Sequence, residues 1–267
     1  MLWVPQKGVV RHGSSGIVQV TTGASSGTKG SVVELIASTS FDAYWVLVYV
    51  RNYANAGSAS EGAMDILIGA ATESILIPDL LVGYCGASTN GFAGKSWLFP
   101  LYVPAGSRLS ARAAGARTST NIATRINLYG GLGLPQTRVG TRVTTYGVSV
   151  PNGTTITPGE SSAEGSWAQI VASTSEDHFC FVPSFQLQAD STINNRAYEV
   201  EIGIGAATEE AIGPDFIFGT DSSENMFGPA NQFPVFAEVL VGTRLVMRAS
   251  NSSTNDGGYG GAIHAVS

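Results

Sequence analysis

The sequence is poor in cysteine, in charge and in any helical pattern. Two cysteines, Cys85 and Cys180, in 267 residues are too few for a disulfide framework. Cys180 lies in the apolar run HFCFV, where a cysteine packs as a small hydrophobe. Cys85 lies in a Gly-rich turn, and no bridge between the two is expected. Charged residues make up 13% of the chain, about half the usual share. The balance is acidic, with 14 Lys and Arg against 20 Asp and Glu, a net charge of −6. A protein that grips phosphates needs the opposite sign, so nucleic acid is not expected as a partner. The longest apolar run, AYWVLVYV at Ala43–Val50, is far short of the ~20 residues that span a bilayer. The opening MLWVPQKGVVRHGSSG lacks the apolar segment of a signal peptide. A soluble chain with no membrane partner is expected. No window sustains a 3.6-residue period with caps.

What is present is glycine, 33 residues of it, and a hydrophobic fraction of 43%, enough for a packed core. Above all there is a repeat. GSVVELIASTSFD at 30–42 and GSWAQIVASTSED at 165–177 share Gly30/Gly165, Ser31/Ser166, Ala37/Ala172, Ser38/Ser173, Thr39/Thr174, Ser40/Ser175 and Asp42/Asp177. The match continues with IGAATE at 68–73 against 204–209, Pro78-Asp79 against Pro214-Asp215, Phe99-Pro100 against Phe233-Pro234, and AGSRLSARA at 105–113 against VGTRLVMRA at 241–249. Five blocks in one order, at spacings of 134 to 136, mark a tandem duplication. The boundaries read from it are an N-terminal arm or first strand over 1–29, a first repeat over 30–131, a linker over 132–145 and a second repeat over 146–267.

Each repeat reads as β. Val, Ile, Thr and aromatic runs of five to eight residues alternate with Gly, Asn, Ser and Pro. In the first copy, strands are predicted near 17–21, 32–37, 44–53, 63–68, 74–83, 96–103, 107–113 and 122–129. Eight short strands with Gly-rich turns predict an all-β fold of two tandem β-sandwich domains, closer to a jelly roll than to an immunoglobulin domain.

The AGSRLSARA block sets Arg108 and Arg112 on one strand face and leaves Leu109, Ala111 and Ala113 for the other. Arg244 and Arg248 repeat this. Two arginines cannot enter an apolar core unpaired; they must meet carboxylates, carbonyls or a partner. They are either a solvated face or an interface, and Arg suits interfaces through bidentate pairing. Trp3 and Arg11 in the N-terminal arm are interface candidates of the same kind. Catalytic chemistry is not written locally. His12, His178 and His264 show no ligand spacing. Asp42/Asp177, Glu73/Glu209 and Asp79/Asp215 fit turn-closing roles better than a paired-carboxylate site. No GxSxG, P-loop or dinucleotide fingerprint occurs. No catalytic residue, metal or cofactor is expected. Tyr44, Trp45, Tyr49 and Tyr53 cluster on one strand and Trp97 and Phe99 on another, for packing or for a sugar platform.

The order ELIASTSFDAYWVLV … MDILIGAATES … LIPDLLV … FPLYVPAGSRLSARA … INLYG resembles repeat units in structural proteins of tailed-bacteriophage virions, small β-sandwich modules of head decoration (cement) or tail proteins. The resemblance covers about residues 30–131 and 165–266. The second copy departs from it at EVLVGTRLVMR, which lacks the Pro before the turn. The resemblance implies a non-enzymatic virion protein, a capsid decoration protein that binds and stabilises the shell, made in the host cytoplasm. Its implied partners are itself, as a homotrimer, and the major capsid protein or tail proteins. The alternatives are a tail or adaptor component, or a carbohydrate-binding module for host surfaces; a β-sandwich hydrolase or lyase is the enzymatic alternative.

Overall fold

A computed structural model describes residues 10–14, 16–54, 61–69, 72–83, 95–131, 138–187, 196–220, 226–227, 231–253 and 259–267. Trp3 and Cys85 lie outside the described residues, and Arg11 is described in its backbone only. The described residues contain no helix. In the first half the strands are β1 (Val10–Gly13), β2 (Val18–Thr21), β3 (Val33–Ile36), β4 (Ala43–Ala54), β5 (Gly62–Ile68), β6 (Ser74–Leu81), β7 (Lys95–Phe99), β8 (Leu109–Gly115) and β9 (Asn121–Gly130). The second half has β10 (Val143–Tyr146), β11 (Val148–Ser149), β12 (Asn152–Ile156), β13 (Ala168–Val171), β14 (His178–Leu187), β15 (Arg196–Ile204), β16 (Glu210–Ala211), β17 (Phe216–Thr220), β18 (Met226–Phe227), β19 (Asn231–Gln232), β20 (Val235–Val239), β21 (Leu245–Asn251) and β22 (Tyr259–Val266).

The strands pair in the jelly-roll order twice. In the first half β2-β9-β4-β7 faces β3-β8-β5-β6; in the second, β12-β22-β14-β20 faces β13-β21-β15-β17. The fold is therefore all-β, built of tandem sandwiches. Strands β1 and β2 pair with β9 as β10 and β12 pair with β22. The first sheet thus draws on residues before Gly30, where sequence identity had faded.

The repeated Thr and Asp of the STSxD motif have a clear local task. Thr39 donates through Oγ1 to Pro104 O at 2.7 Å and accepts from Ser107 N at 2.9 Å, while Asp42 accepts from Ala105 N at 2.8 Å. Thr174 and Asp177 repeat this on Leu240 O, Thr243 N and Val241 N. Through these bonds the motif reaches beyond the local turn expected from the sequence. It clasps the turn that precedes the arginine strand. Gly106 and Gly242 hold that turn at φ 80° and 88°, a region where a Cβ is strained. The turn is the same in both copies, so the missing Pro of the second copy changes nothing in its path.

Strand β14 explains its own unbroken apolar run. Phe181 and Phe185 enter the second core, where Phe185 stacks on Phe218 at 5.2 Å and Phe218 on Tyr198 at 4.8 Å. Cys180, Val182, Ser184 and Gln186 belong to the opposite face and are also fully buried, because the first half covers them. Phe179, Cys180, Val182, Val266 and Val143 join one apolar cluster with Val46, Trp97 and Phe99 of the first half. A strand buried on both faces is largely apolar on both, and the polar side chains on its outer face, Ser184 and Gln186, are hydrogen-bonded.

The seam between the halves is also polar where it must be. Gln186 accepts at Oε1 from Gly62 N and Gly83 N, both at 3.0 Å, and donates through Nε2 to Pro151 O at 2.8 Å. Lys95 donates to Gly83 O at 2.6 Å and Phe185 O at 3.1 Å. Strand β19 of the second half pairs in parallel with β7 of the first and extends its sheet.

Thr174→Val keeps the shape of the side chain and leaves both groups of the turn without their hydroxyl partner. A loss of roughly 1–2 kcal/mol, seen as a fall in melting temperature of roughly 3–6 °C, is expected by circular dichroism. An unchanged melting temperature would remove the clasp from the account.

Candidate interaction surface

The arginine strands meet their charge requirement inside each sandwich. Arg108 donates through Nε to Glu34 at 2.8 Å and through Nη1 to Glu73 at 2.5 Å. Arg112 reaches Asp65 at 2.8 Å, and Lys29 bridges Asp65 at 3.0 Å and Asp79 at 2.7 Å. Burial alone would raise the Asp65 carboxyl, but Lys29, the Asp79 amide and Arg112 outweigh it and hold it below its usual value. In the second half Arg244 pairs with Glu209 at 2.6 Å. Arg248 pairs with Glu201 at 2.5 Å and with Glu164, and stacks over Trp167 at 4.4 Å.

One position changes sign between the copies. Glu164 precedes Gly165 as Lys29 precedes Gly30, so a cation in the first half is a carboxylate in the second. Burial, then the like charge of Glu201, raises the Glu164 carboxyl against the pull of Arg248. Asp215 is raised too, by burial and then by Glu201 and Glu199. Both are largely exposed groups, so the effect on stability is small.

His178 and His264 are both fully buried. His264 sits in the seam, with Nδ1 2.7 Å from Thr145 Oγ1 and Nε2 2.8 Å from Ser184 Oγ. Thr145 in turn donates to Pro78 O at 2.6 Å, and the Phe99 ring lies edge-on at 6.0 Å. Burial pushes the His264 pKa down to about 3. The imidazole is a neutral structural bridge. His178 lies 2.9 Å from the Tyr146 hydroxyl, and its pKa is lowered by burial, despite the nearby Glu176 carboxylate. Among the described residues no group of three or more His, Cys, Asp or Glu is placed to hold a metal ion.

The surface that stands out is apolar. The β10/β22/β14 face of the second half covers the β6/β7 edge of the first. There Leu81 packs with Ala63 and Ala262, and Phe99 meets His264. The second half has the same edge, and among the described residues no second roll covers Ile217 on it. Ile217 stands where Leu81 stands, 136 residues on, and by ladder register Val235 stands where Phe99 stands, opposite Phe181 as Phe99 is opposite Val46. Leu81 is 0% exposed while Ile217 is 58% exposed; Phe99 and Val235 are both buried, and Phe233, two residues before Val235, is exposed. Phe236 on β20 and Leu240 and Val241 in the turn that follows it are exposed as well. On the first half, the face equivalent to the buried one carries half-buried Trp45, Leu47 and Tyr49 of β4 with Arg125 and Tyr129 of β9. The Trp45 ring meets Phe236 edge-on at 6.4 Å, so patch and face adjoin. Sequence reading singled out the arginines and missed this edge. Its signal lay in a position-by-position comparison of the copies beyond their identical blocks.

No family model and no curated protein sequence matches the chain. Solved structures with similar strand content include PNGF-II, at 7% identity and a TM-score of 0.38, covering 97% of this chain. They also include the tandem CBM22-1–CBM22-2 domain of Paenibacillus barcinonensis Xyn10C, at 12% identity and a TM-score of 0.29, covering 99% of this chain and 93% of that one. The VP2 subviral particle of infectious bursal disease virus matches at 9% identity and a TM-score of 0.25, covering 99% of this chain and 74% of that one. The chain spans 65% of the length of the PNGF-II chain. At these TM-scores the architectures do not superpose closely, and no activity is taken from them.

Two outcomes follow. Between pH 6.5 and about 3 the unfolded chain protonates His264 and the folded chain does not. Stability therefore falls as pH falls, by up to about 1.4 kcal/mol per pH unit. Urea melts from about pH 7 down to about pH 5, where histidine titrates, are expected to show this, and His264→Gln to flatten it. Glu164 and Asp215 act with the opposite sign. Their raised values mean that the folded state holds protons longer, so stability falls as pH rises through them. Glu164→Lys, which restores the cation of the first half, is expected to raise the melting temperature by about 1–2 °C near neutral pH. A lower melting temperature for this variant would show that Glu164 is not a source of repulsion.

Proposed function

We propose that this chain is a non-enzymatic structural protein of a tailed-phage virion, a decoration protein that seats on the capsid and stabilises the shell. The observation that carries the reading is the division of its chemistry. Asp42, Asp177, Glu73, Glu209 and Asp79 are each engaged by a backbone amide or a cation, and both described imidazoles are buried bridges. Beside them the second half exposes five large hydrophobic side chains, Ile217, Phe233, Phe236, Leu240 and Val241. Contiguous exposed apolar surface marks a place where another macromolecule sits. Jelly rolls serve widely in capsids and lectins, an analogy of fold that sets a prior and no more. A second reading rests on Trp45, Tyr49 and Tyr129, half-exposed rings on one sheet face, the kind of platform that a carbohydrate-binding module offers to sugars.

The purified chain, mixed with shells of the major capsid protein encoded alongside it, is expected to sediment with them to a saturating ratio and to raise their melting temperature. Binding to isolated tails in place of shells would move the chain to the tail as an adaptor. Binding to a glycan array with no affinity for either would overturn the virion reading in favour of host-surface attachment.

A further inference from the structure

The internal seam is a heterologous contact, in which the outer face of one roll covers the open edge of another. Among the described residues, the matching face of the first roll and the matching edge of the second do not form a second such seam within the chain. We propose that a second copy of this chain repeats the seam, its β4/β9 face docking on the β15/β17 edge of its neighbour, with Arg125 of one copy meeting Glu199 of the next.

The pairing follows from the register. Within the chain, Ala262 packs with Ala63. Ala262 lies opposite Ser184 on its ladder, and the equivalent pair in the first half is Arg125 opposite Tyr49. Ala63 lies between Leu81 and Ala114, and the equivalent position, between Ile217 and Ser250, is Glu199. The one contact that is Ala on Ala inside the chain thus becomes Arg against Glu between chains. Arg125 is half-buried, and its Nε is buried without a hydrogen-bond partner; Glu199 is exposed. Ile217 supplies the apolar ground that Leu81 supplies in the seam, with Phe233 exposed two residues before Val235, the register equivalent of Phe99. Leu47, Tyr49 and Tyr129 supply larger side chains than Val182, Ser184 and Val266 do there, so the intermolecular contact is wider. Heterologous contacts close into rings when the rotation allows, and three chains would present six rolls. This inference rests on the seam alone and stands apart from the virion reading.

Light scattering on the full chain is expected to show a closed oligomer, three chains for six rolls, that weakens as salt rises. Arg125→Glu and Glu199→Arg are each expected to shift the assembly at least tenfold towards monomer, with unchanged circular dichroism. The double variant, Arg125→Glu with Glu199→Arg in one chain, is expected to restore assembly. Leu47→Asp, an uncharged position made charged, is expected to give monomer that no second charge change restores. A monomeric wild-type chain would overturn the proposal. So would an oligomer indifferent to both single variants, or a double variant that behaves no better than the singles.

Discussion

The structure depends on one face that has to stay dry. Cys180, Val182, Ser184, Gln186, Ala262, His264 and Val266 line the outer side of the second half's sheet and are all fully buried. A sandwich needs only its inner face covered. Here both faces of β14 and β22 are covered, so the second roll is completed by the first. The seam also decides which polar groups are tolerable. Gln186, Lys95 and His264 are buried and bonded across it, because an unpaired polar group there would cost more than the contact returns.

Duplication followed by divergence accounts for the rest. The framework retained in both copies is local and geometric: the Thr and Asp clasp, the positive-φ glycine, and the arginine strand with its carboxylate partner. What diverged is what each roll shows to its neighbour. Leu81 and Ile217, Ala63 and Glu199, Ala262 and Arg125 are equivalent positions with opposite fates, one buried in the seam and one outside it. Lys29 and Glu164 diverged beside the same sheet as Ala63 and Glu199, where a cation bridging two carboxylates gives way to a further carboxylate next to Glu201.

Much of the fold was legible because β structure writes a period of two and punctuates it with turn residues. The strands predicted in the first copy fall within about two residues of β2 to β9, save that the run predicted to Val103 is continuous only to Phe99, breaks at Pro100 and resumes as single bridges at Leu101 and Val103. The strand Val10–Gly13 was not legible. It is short, and what defines it is pairing with Tyr129 and its neighbours, over a hundred residues away. The arginines were legible as a shared face, and their need for partners followed from charge. Which partners they found was not. Glu34, Glu73 and Asp65 are separated from them by tens of residues.

The sequence by itself determined that the chain is a duplicated all-β protein with two rolls, since periodicity, turn chemistry and self-similarity are all local or internal to the chain. Only the tertiary structure decided that the rolls pack face on edge. Alternation along a strand says that a residue points to one side or the other, but not whether that side meets water or a second sheet. Cys180 and Trp45 occupy equivalent places and obey the same alternation. One is sealed in the seam and the other lies at the surface, and that difference arises from which roll happens to have an edge in front of it.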